Sequence, residues 1–462
     1  MATSTGWSTE LFNRYHRLHK PYRSYPTAEY FQQPISTFER YSALRTSRSL
    51  NRPLALNITM AFCANACYCC SKKTTITKDR SRSSAYLQSL EHEIRLLAQH
   101  THPSQPINEL YVSGGTPTFL NPFELQQLMH CLQDNFNLVR NNFSHYSIDI
   151  DPRETDWATM GVLRDIGFNC INIMMHALDP TVQRAINRLH NLEQTQKIVE
   201  AARTLQFRHI SISLLYGLPK QTPQSLAQTL SDTLKLVPDR VHLQGFLHQP
   251  HQHPIQQHIA AHDLPSSTDI AHMLRAALEQ LTAAGYQYIG MGNFALADDD
   301  YTIAQEDDTL HCGLQDYSTY ANLDTLGFGA GAISRIGSLH YRNTPDITAY
   351  QNAYHNQQLP QACGVVSSLE QSVSEYVIDS LNCQFSVDFL AIQQGYNVDC
   401  KQLFAQQWPQ LQQMHHDGLL QLSDHALHMT PEGRLFTLAV CQVFAEQQIA
   451  EPVNSTAMTQ VI

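Results

Sequence analysis

The chain has 462 residues, of which 42% are hydrophobic and 15% are charged, and its formal net charge is −11 with histidine neutral. Such a chain can hold two or three domains around a large core. The acidic balance disfavours non-specific nucleic-acid binding, and no apolar run approaches the roughly 20 residues of a membrane span. Residues Met1–Trp7 lack the basic-then-apolar pattern of a secretion signal. We therefore expect a cytoplasmic protein that engages neither nucleic acid nor membrane.

Residues 1–50 predict an irregular N-terminal extension with one or two helices. From Leu54 onward, short apolar runs alternate with longer amphipathic segments. The predicted strands are Leu54–Met60, Glu109–Val112, Tyr146–Ile150, Asn169–Met174, His209–Leu215 and Arg240–Gly245. The predicted helices between them are Ala85–Gln99, Pro122–Asn135, Thr181–Arg188, Asn191–Leu205 and Pro223–Leu236. This alternation predicts an α/β fold of parallel βαβ units, and six units favour an open (β/α)6 partial barrel over a closed eightfold one.

The second half of the chain predicts a helix over Ser267–Ala284, a strand over Tyr286–Met291 and turns at Gly327–Ile333. These glycines lack the spacing of a dinucleotide fingerprint. After residue 365 the pattern is mainly helical, with a two-stranded wing at Leu420–Met429 that we expect to pack or to cover substrate rather than to bind DNA. The sequence thus predicts four parts: an extension (1–50), the partial barrel (51–260), a barrel extension that covers the substrate (261–360) and a helical C-terminal domain (361–462).

Four cysteines lie within eight residues, in the sequence Cys63-Ala-Asn-Ala-Cys67-Tyr-Cys69-Cys70. Three thiolates from one tight loop can bind three irons of a 4Fe–4S cluster and leave the fourth iron for a small molecule. A structural zinc site would need four ligands, usually as two separated pairs, and no second pair lies nearby. The odd total of eleven cysteines argues against a disulfide framework. Zinc and chance clustering remain alternatives, and Cys69 could replace a neighbour as a ligand or line the cavity.

Read as Cys-x3-Cys-x2-Cys, Cys63, Cys67 and Cys70 resemble the loop that holds the cluster in radical S-adenosylmethionine (radical SAM) enzymes. Further stretches extend a resemblance over nearly the whole chain. They are Ser24–Ala28, Gly114–Thr118, Asp151–Glu154, Val182–Arg184, Asn187–Arg188, Tyr216–Thr222, Asp316–Thr319 and Gly331–Ser334. In this order and spacing they resemble the oxygen-independent coproporphyrinogen III oxidases, which are radical SAM enzymes of heme synthesis.

The resemblance implies a radical SAM partial barrel with a 4Fe–4S cluster on Cys63, Cys67 and Cys70. It also implies S-adenosylmethionine bound by main chain at Gly114 and Gly115 and by a Thr116 hydroxyl. Asp149 would accept bonds from the ribose, and Arg188 would pair with the methionine carboxylate. The implied reaction is the oxidative decarboxylation of coproporphyrinogen III to protoporphyrinogen IX, in which a deoxyadenosyl radical removes a hydrogen from a propionate β-carbon. Such chemistry requires no acid–base residue, so we assign none. The implied partners are coproporphyrinogen III or a related tetrapyrrole and an electron donor such as flavodoxin or ferredoxin, and the chain would act as a monomer.

Several positions around the expected cofactor depart from the family pattern. Asn57 stands where the family has a tyrosine, Cys69 replaces an aromatic residue, and Lys72 replaces an additional cysteine. His176 replaces a cofactor-contacting glutamine and Ser213 an aspartate, and we include both, with Asn57 and Cys69, among the candidate cofactor residues. Two other hypotheses therefore remain: a non-catalytic iron–sulfur paralogue that binds or traffics heme or another tetrapyrrole, and a radical enzyme with a different substrate. In the former, His176 could be an axial heme ligand or simply fill the pocket.

Overall fold

The computed structural model describes residues 9–16, 25–141, 143–314 and 316–445. Contacts divide the chain into two compact units, one formed by Met1–Arg17 with Leu369–Ile462 and the other by Leu18–Ser368. The larger unit contains both the predicted barrel and the predicted covering region. Ser24, the first residue of one family-like stretch, lies outside the described residues. None of the helices in the described ranges is long and apolar enough to cross a membrane.

Six parallel strands form the centre of the larger unit, and their order in the sheet follows their order in the chain. They are β1 (Leu54–Met60), β2 (Pro106–Gly114), β3 (His145–Ile150), β4 (Cys170–His176), β5 (His209–Tyr216) and β6 (Arg240–Gly245). All six predicted strands are present, with ends shifted by at most three residues. The sheet does not close on itself. The expected α/β fold with an open partial barrel is therefore confirmed.

Helices connect these strands and cover the sheet, as βαβ units require. They are α1 (Arg82–Ala98), α2 (Pro122–Asn135), α3 (Trp157–Ile166), α4 (Pro180–Ala185), α5 (Leu192–Thr204) and α6 (Pro223–Leu234). The start of α2 shows why the sequence folds this way. The Asn121 side chain accepts a hydrogen bond from the Glu124 backbone N–H, and the Glu124 side chain accepts one from the Asn121 backbone N–H. Pro122 occupies the first turn of the helix. The predicted helix Thr181–Arg188 ends earlier, at Ala185, because Asn187 adopts a φ of +51°. This early end brings Arg188 to the mouth of the barrel.

Additional strands extend the sheet at both edges. Beside β1 lies a seventh parallel strand, β7 (Asp324–Phe328), followed by an antiparallel run. The strands of that run are Ile333–Ile336, Leu339–Asn343, Ala362–Val366 and Gln33–Ile35. Beside β6 lies Asn293–Leu296, followed by Tyr286–Gly290. The latter is the strand predicted over Tyr286–Met291, one residue shorter. The turn predicted over Gly327–Ile333 is shorter than expected and covers residues 329–332, because Gly327 and Phe328 belong to β7. A Cβ on Gly327 would lie 2.2 Å from the Ile333 carbonyl oxygen, so the glycine serves close strand packing.

Smaller elements complete the larger unit. Its other α-helices are Thr37–Ser49, Ser267–Ala283, Asp300–Glu306 and Ile347–His355. Its short strands are Phe62–Cys63, Thr75–Ile76, Asn137–Leu138, His311–Cys312 and Tyr317–Ser318. Its 3-10 helices are Ala28–Tyr30, Pro117–Phe119, Pro254–His258 and Ala261–Asp263. The predicted helix over Ser267–Ala284 is thus present to within one residue.

The smaller unit is mainly helical, as expected. Its helices are Thr9–Tyr15, Leu369–Gln384, Phe389–Tyr396, Cys400–Leu403, Trp408–His416, Thr437–Ala445 and the 3-10 helix Gly433–Phe436. The wing was predicted to have two strands, but it has three. Ser386–Asp388 pairs with Ala426–Met429, which in turn pairs with Leu420–Leu422. Three residues are too few to show the alternation that marks a strand in a sequence.

Candidate active site

The loop that carries the four cysteines begins where β1 ends. Cys63 lies in a two-residue strand that pairs in parallel with Thr75–Ile76. The Thr75 backbone N–H donates to the Ala61 carbonyl at 2.8 Å, and that of Thr77 donates to the Cys63 carbonyl at 2.9 Å. These bonds close residues 64–74 into a compact loop. On its far side, the Tyr68 N–H donates to the Ile186 carbonyl at 2.9 Å, which ties the loop to the residues that follow α4.

A cleft that is open to solvent lies at the carboxyl ends of the parallel strands. Active sites of barrel-like α/β folds lie at this edge. The cleft is lined by nearly all of the predicted site residues, and the structure thereby brings distant parts of the chain together. They are Cys63, Cys67, Cys69, Cys70, Gly114, Gly115, Thr116, Asp149, His176, Arg188 and Ser213.

Asn57 is the predicted residue that does not line this cleft. Its side chain borders a separate, smaller cavity within the barrel, together with Glu109, Tyr111 and His145. Asn57 is buried, and its Oδ1 has no hydrogen-bond partner among the described residues. It pairs in register with Tyr111, one strand away. Its place in β1, three residues before the strand ends, sets it below the level of the cysteine loop.

Hydrogen-bond donors lie beside two of the three thiols of the predicted cluster loop, those of Cys67 and Cys70. Cys67 Sγ lies 3.3 Å from Arg153 Nη2 and 3.4 Å from Arg188 Nη1. Cys70 Sγ accepts from the Lys72 backbone N–H at 3.4 Å, and burial raises the pKa of this thiol. Positive charge and N–H donors are what a cluster held by three thiolates requires from its surroundings. The donor set therefore fits a 4Fe–4S cluster.

A buried carboxylate, Asp151, holds both arginines in place. Asp151 Oδ2 accepts from Arg153 Nη2 at 2.7 Å and from Arg188 Nη1 at 3.0 Å. Burial alone would raise the pKa of Asp151, but the charge of Arg188 and the hydrogen bonds and charge of Arg153 outweigh it and lower that pKa. Arg188 also donates to the Met174 carbonyl, while its buried Nε has no acceptor among the described residues. One donor thus remains for an acceptor that the described residues do not supply.

A row of hydrogen bonds crosses four neighbouring strands at the floor of the cleft. Asp149 Oδ1 accepts from the Tyr111 hydroxyl at 2.7 Å and from Asn172 Nδ2 at 2.9 Å. The Ser213 hydroxyl donates to Asn172 Oδ1 at 2.8 Å. The second oxygen of Asp149 lies 3.3 Å from Lys72 Nζ. The row fixes the orientation of the Asp149 carboxylate, and Lys72 is its only partner there with a largely exposed side chain, at 43%.

Cys69 forms an apolar part of the cleft wall, next to the imidazole of His176. Cys69 is buried in a cluster with Ala177, Val182 and Phe246, and burial raises the pKa of its thiol. Its Sγ lies 3.9 Å from His176 Nδ1. His176 has a φ of +68° at the end of β4, where the register shifts, and burial followed by the charge of Arg188 lowers its pKa well below the ordinary value. Because Cys69 packs among these apolar side chains, it fits the role of a cavity wall.

Gly114 and Gly115 lie where the end of β2 meets the main chain that leads into the cysteine loop. A Cβ on Gly115 would lie 2.2 Å from the Phe62 carbonyl oxygen, and one on Gly114 would lie 2.5 Å from that of Met60. Side chains at these positions would thus clash with the main chain that leads into the cysteine loop. Gly114 also has a φ of +99°, which favours glycine. The glycine pair allows the end of β2 to pack directly against this loop.

The sequence interpretation did not assign Lys72, Tyr111, Asp151, Arg153 or Asn172 to the site. Asp151 and Arg153 directly follow a buried strand, a position that could have identified them. Tyr111 and Asn172 lie inside strands, where the register with Asp149 decides whether they meet. That register is a property of the assembled sheet.

Comparison with known proteins agrees with this geometry. Residues 57–233 match the radical SAM superfamily, and residues 368–436 match the HemN C-terminal domain. An oxygen-independent coproporphyrinogen III oxidase of Pseudomonas aeruginosa is 42% identical over 96% of each chain. Its counterpart in Salmonella typhimurium is 34% identical over 95% of each.

Among solved structures, the coproporphyrinogen III oxidase of Escherichia coli, described as a radical SAM enzyme, is 32% identical. It superimposes with a TM-score of 0.89 over 95% of this chain and 98% of its own. Identity and coverage at this level extend through both units of the chain. The chain therefore belongs to the family of oxygen-independent coproporphyrinogen III oxidases, within the radical SAM superfamily.

Proposed function

We propose that this protein converts coproporphyrinogen III to protoporphyrinogen IX without oxygen, as a step of heme synthesis. Each of two propionate groups loses a hydrogen atom, carbon dioxide and one electron, and leaves a vinyl group. The observation that carries the proposal is that Cys63, Cys67 and Cys70 line one cleft with Asp149 and Arg188 at the carboxyl ends of the strands. Family membership supports the choice of substrate.

A 4Fe–4S cluster and S-adenosylmethionine are the cofactors of this family. We assign the cluster to the thiolates of Cys63, Cys67 and Cys70. When bound, the two cofactors together supply the deoxyadenosyl radical that removes hydrogen from the substrate. Arg153 and Arg188 donate to Cys67 and offset part of the negative charge that thiolate ligands bring.

The remaining cleft residues orient S-adenosylmethionine in this proposal. Asp149, held by Tyr111 and Asn172, offers a fixed carboxylate to the ribose hydroxyls once Lys72 moves aside. Arg188 offers its Nε–H to the methionine carboxylate. Thr116, His176 and Ser213 form polar parts of the wall. Positioning of this kind, together with exclusion of water, is the contribution a protein makes to radical chemistry.

Two further parts of the proposal concern the setting of the enzyme. We assign it to the cytoplasm, because none of the eleven cysteines is in a disulfide bond and the cluster requires a reducing environment. An external one-electron donor such as flavodoxin or ferredoxin would reduce the cluster, and the chain would act as a monomer.

An anaerobic assay tests the proposal. The cluster is reconstituted and reduced with dithionite, and S-adenosylmethionine and coproporphyrinogen III are added. We expect 5′-deoxyadenosine together with vinyl-bearing product. Deoxyadenosine alone would indicate another substrate, and neither product from a protein with a full cluster would refute catalysis and favour the non-catalytic paralogue.

The cysteine loop provides a matched pair of variants. Cys70→Ala removes a proposed ligand and should abolish both the absorbance of the cluster and the activity. Cys69→Ala removes a thiol that is buried in the apolar wall, so the cluster content should stay near that of the unmodified protein. If Cys69→Ala loses the cluster and Cys70→Ala retains it, then Cys69 is the ligand and Cys70 is not.

A further inference from the structure

Beside the cysteine loop lies a strongly basic segment, residues 72–82. Five of its eleven residues are cationic and one is anionic, although the whole chain carries a net charge of −11. The cations are Lys72, Lys73, Lys78, Arg80 and Arg82. The pairing of Phe62–Cys63 with Thr75–Ile76 folds the start of this segment back onto the cysteine loop. The concentration of positive charge thus lies next to the proposed cluster.

Two of these cations already have anionic partners. Lys72 pairs with Asp149 at 3.3 Å and Arg80 with Glu154 at 2.8 Å. Lys73 and Arg82, by contrast, form no ion pair with any described residue. Arg82 lies over the ring of the buried Phe62, with 5.4 Å between its guanidinium carbon and the ring centroid. This contact fixes the Arg82 side chain one residue away from Cys63.

Lys73 and Arg82 line a second cleft, which is also open to solvent. Cys63, Cys67, Cys70 and Lys72 also line it, so the two clefts share the cysteine loop as a wall. Apolar side chains form much of the remainder: Ile76, Ile255, Ile347, Pro254 and Pro345. Ile76 is 46% exposed, which is high for an isoleucine beside two cations. The cleft therefore combines an apolar surface with two cations that form no ion pair within the described part of the chain.

One carboxylate, Asp346, also lines this cleft. Its Oδ1 accepts from the Ala349 backbone N–H at 3.0 Å at the start of the helix Ile347–His355. Lys78, although part of the same basic segment, does not line the cleft. The two cations of the cleft thus exceed its one carboxylate even before Lys72 is counted.

We propose that this second cleft binds the tetrapyrrole substrate, and that Lys73 and Arg82 hold propionate carboxylates that are not undergoing reaction. The inference rests on the proposed function. Coproporphyrinogen III carries four propionates on an apolar ring system. The cleft offers cations for the propionates and apolar side chains for the ring system. Arg82 can bind a carboxylate in a two-pronged manner, and Lys73 acts as a point charge. The cysteine wall that both clefts share sets the substrate beside the cofactor.

Equilibrium binding tests the proposal independently of turnover. The probe is coproporphyrin III, the fluorescent tetracarboxylate, added to the cluster-reconstituted protein without S-adenosylmethionine. We expect Lys73→Gln and Arg82→Gln each to weaken binding about tenfold, Arg82→Lys to recover part of the loss, and the matched control Lys78→Gln to stay within twofold of the unmodified protein. The tetramethyl ester of the probe should not distinguish these variants. Equal binding of coproporphyrin III by all of them would overturn the proposal.

Turnover with dithionite as reductant separates substrate binding from docking of an acidic electron donor. In Lys73→Gln and Arg82→Gln, KM for coproporphyrinogen III should rise while kcat changes little, because these residues hold carboxylates remote from the reaction. A defect that appears only when a flavodoxin supplies the electrons would overturn the proposal and assign the basic segment to the donor. If the unmodified protein forms no product but the binding differences persist, the proposed function fails while the binding site stands.

Discussion

The carboxylate of Asp151 offers the sharpest test of how the site is built. It is 8% exposed and lies between Arg153, 13% exposed, and Arg188, 4% exposed. Asp151→Asn keeps the size of the side chain but leaves two guanidinium groups without their anion. Removing one partner of a buried ion pair typically costs about 3–5 kcal/mol. Because the amide oxygen can still accept one hydrogen bond, we expect a loss of about 3 kcal/mol in the free energy of unfolding.

The measurement is urea unfolding of the reduced apoprotein at pH 7, so that the cluster contributes nothing to the difference. Glu154→Gln is the matched control, because Glu154 follows closely in sequence but pairs with Arg80, whose side chain is 47% exposed. A pair exposed to this degree contributes about 0–1 kcal/mol. If Asp151→Asn costs no more than Glu154→Gln, the carboxylate does not balance buried charge, and the argument is refuted.

The dependence on pH provides an internal check. The folded state lowers the pKa of Asp151 below its ordinary value of 3.8. The stability it contributes is therefore complete well above pH 3.8 and is lost as the pH falls through the lowered value. The difference between the original protein and Asp151→Asn should shrink when unfolding is measured below about pH 4. A difference that stays constant down to pH 2 would point to packing rather than charge.

Three other results are expected. Burial raises the pKa of Glu109 to about 7 from 4.5, so the native state retains a proton that the unfolded chain releases. The free energy of unfolding should therefore fall by about 3 kcal/mol between pH 4.5 and 7. Glu109→Gln should reduce this dependence on pH in urea unfolding, and an unchanged dependence would contradict the assignment. Gly115→Ala should cost about 1–3 kcal/mol and impair cluster reconstitution, because the new Cβ meets the Phe62 backbone. Gly161→Ala, in α3 with no atom within 4 Å of the new Cβ, should instead raise the free energy of unfolding by up to about 1 kcal/mol. Urea unfolding measures both glycine variants.

The sequence predicts the fold well in places where the local pattern of residues matches the burial of the element. The strand β1 is almost entirely buried and reads as a mainly apolar run, interrupted by Asn57 and Thr59. The helix α2 begins with a capping box and a proline, both visible in the sequence. Such signals depend on neighbours within a few residues of each other. The parallel βαβ alternation then fixes the edge of the sheet at which the cysteine loop must lie.

The short third strand at Ser386–Asp388 and the strand β7 were not predicted, for a related reason. Three residues cannot display a period of two, and Gly327 was taken for a turn residue because glycine is most common there. In β7 the glycine instead allows the approach of Ile333. The pairing partner, rather than the local sequence, determined the conformation in both places.

The sequence by itself determined the cysteine spacing, the order of strands and helices and the concentration of positive charge in residues 72–82. The tertiary structure decided which residues meet. It placed Asn57 outside the cofactor cleft, joined Asp149 to Tyr111 and Asn172, and left Lys73 and Arg82 without ion-pair partners among the described residues. The physical reason is that spacing and charge are properties of the chain, whereas contacts between strands depend on register, which is fixed only when the whole sheet buries its apolar faces.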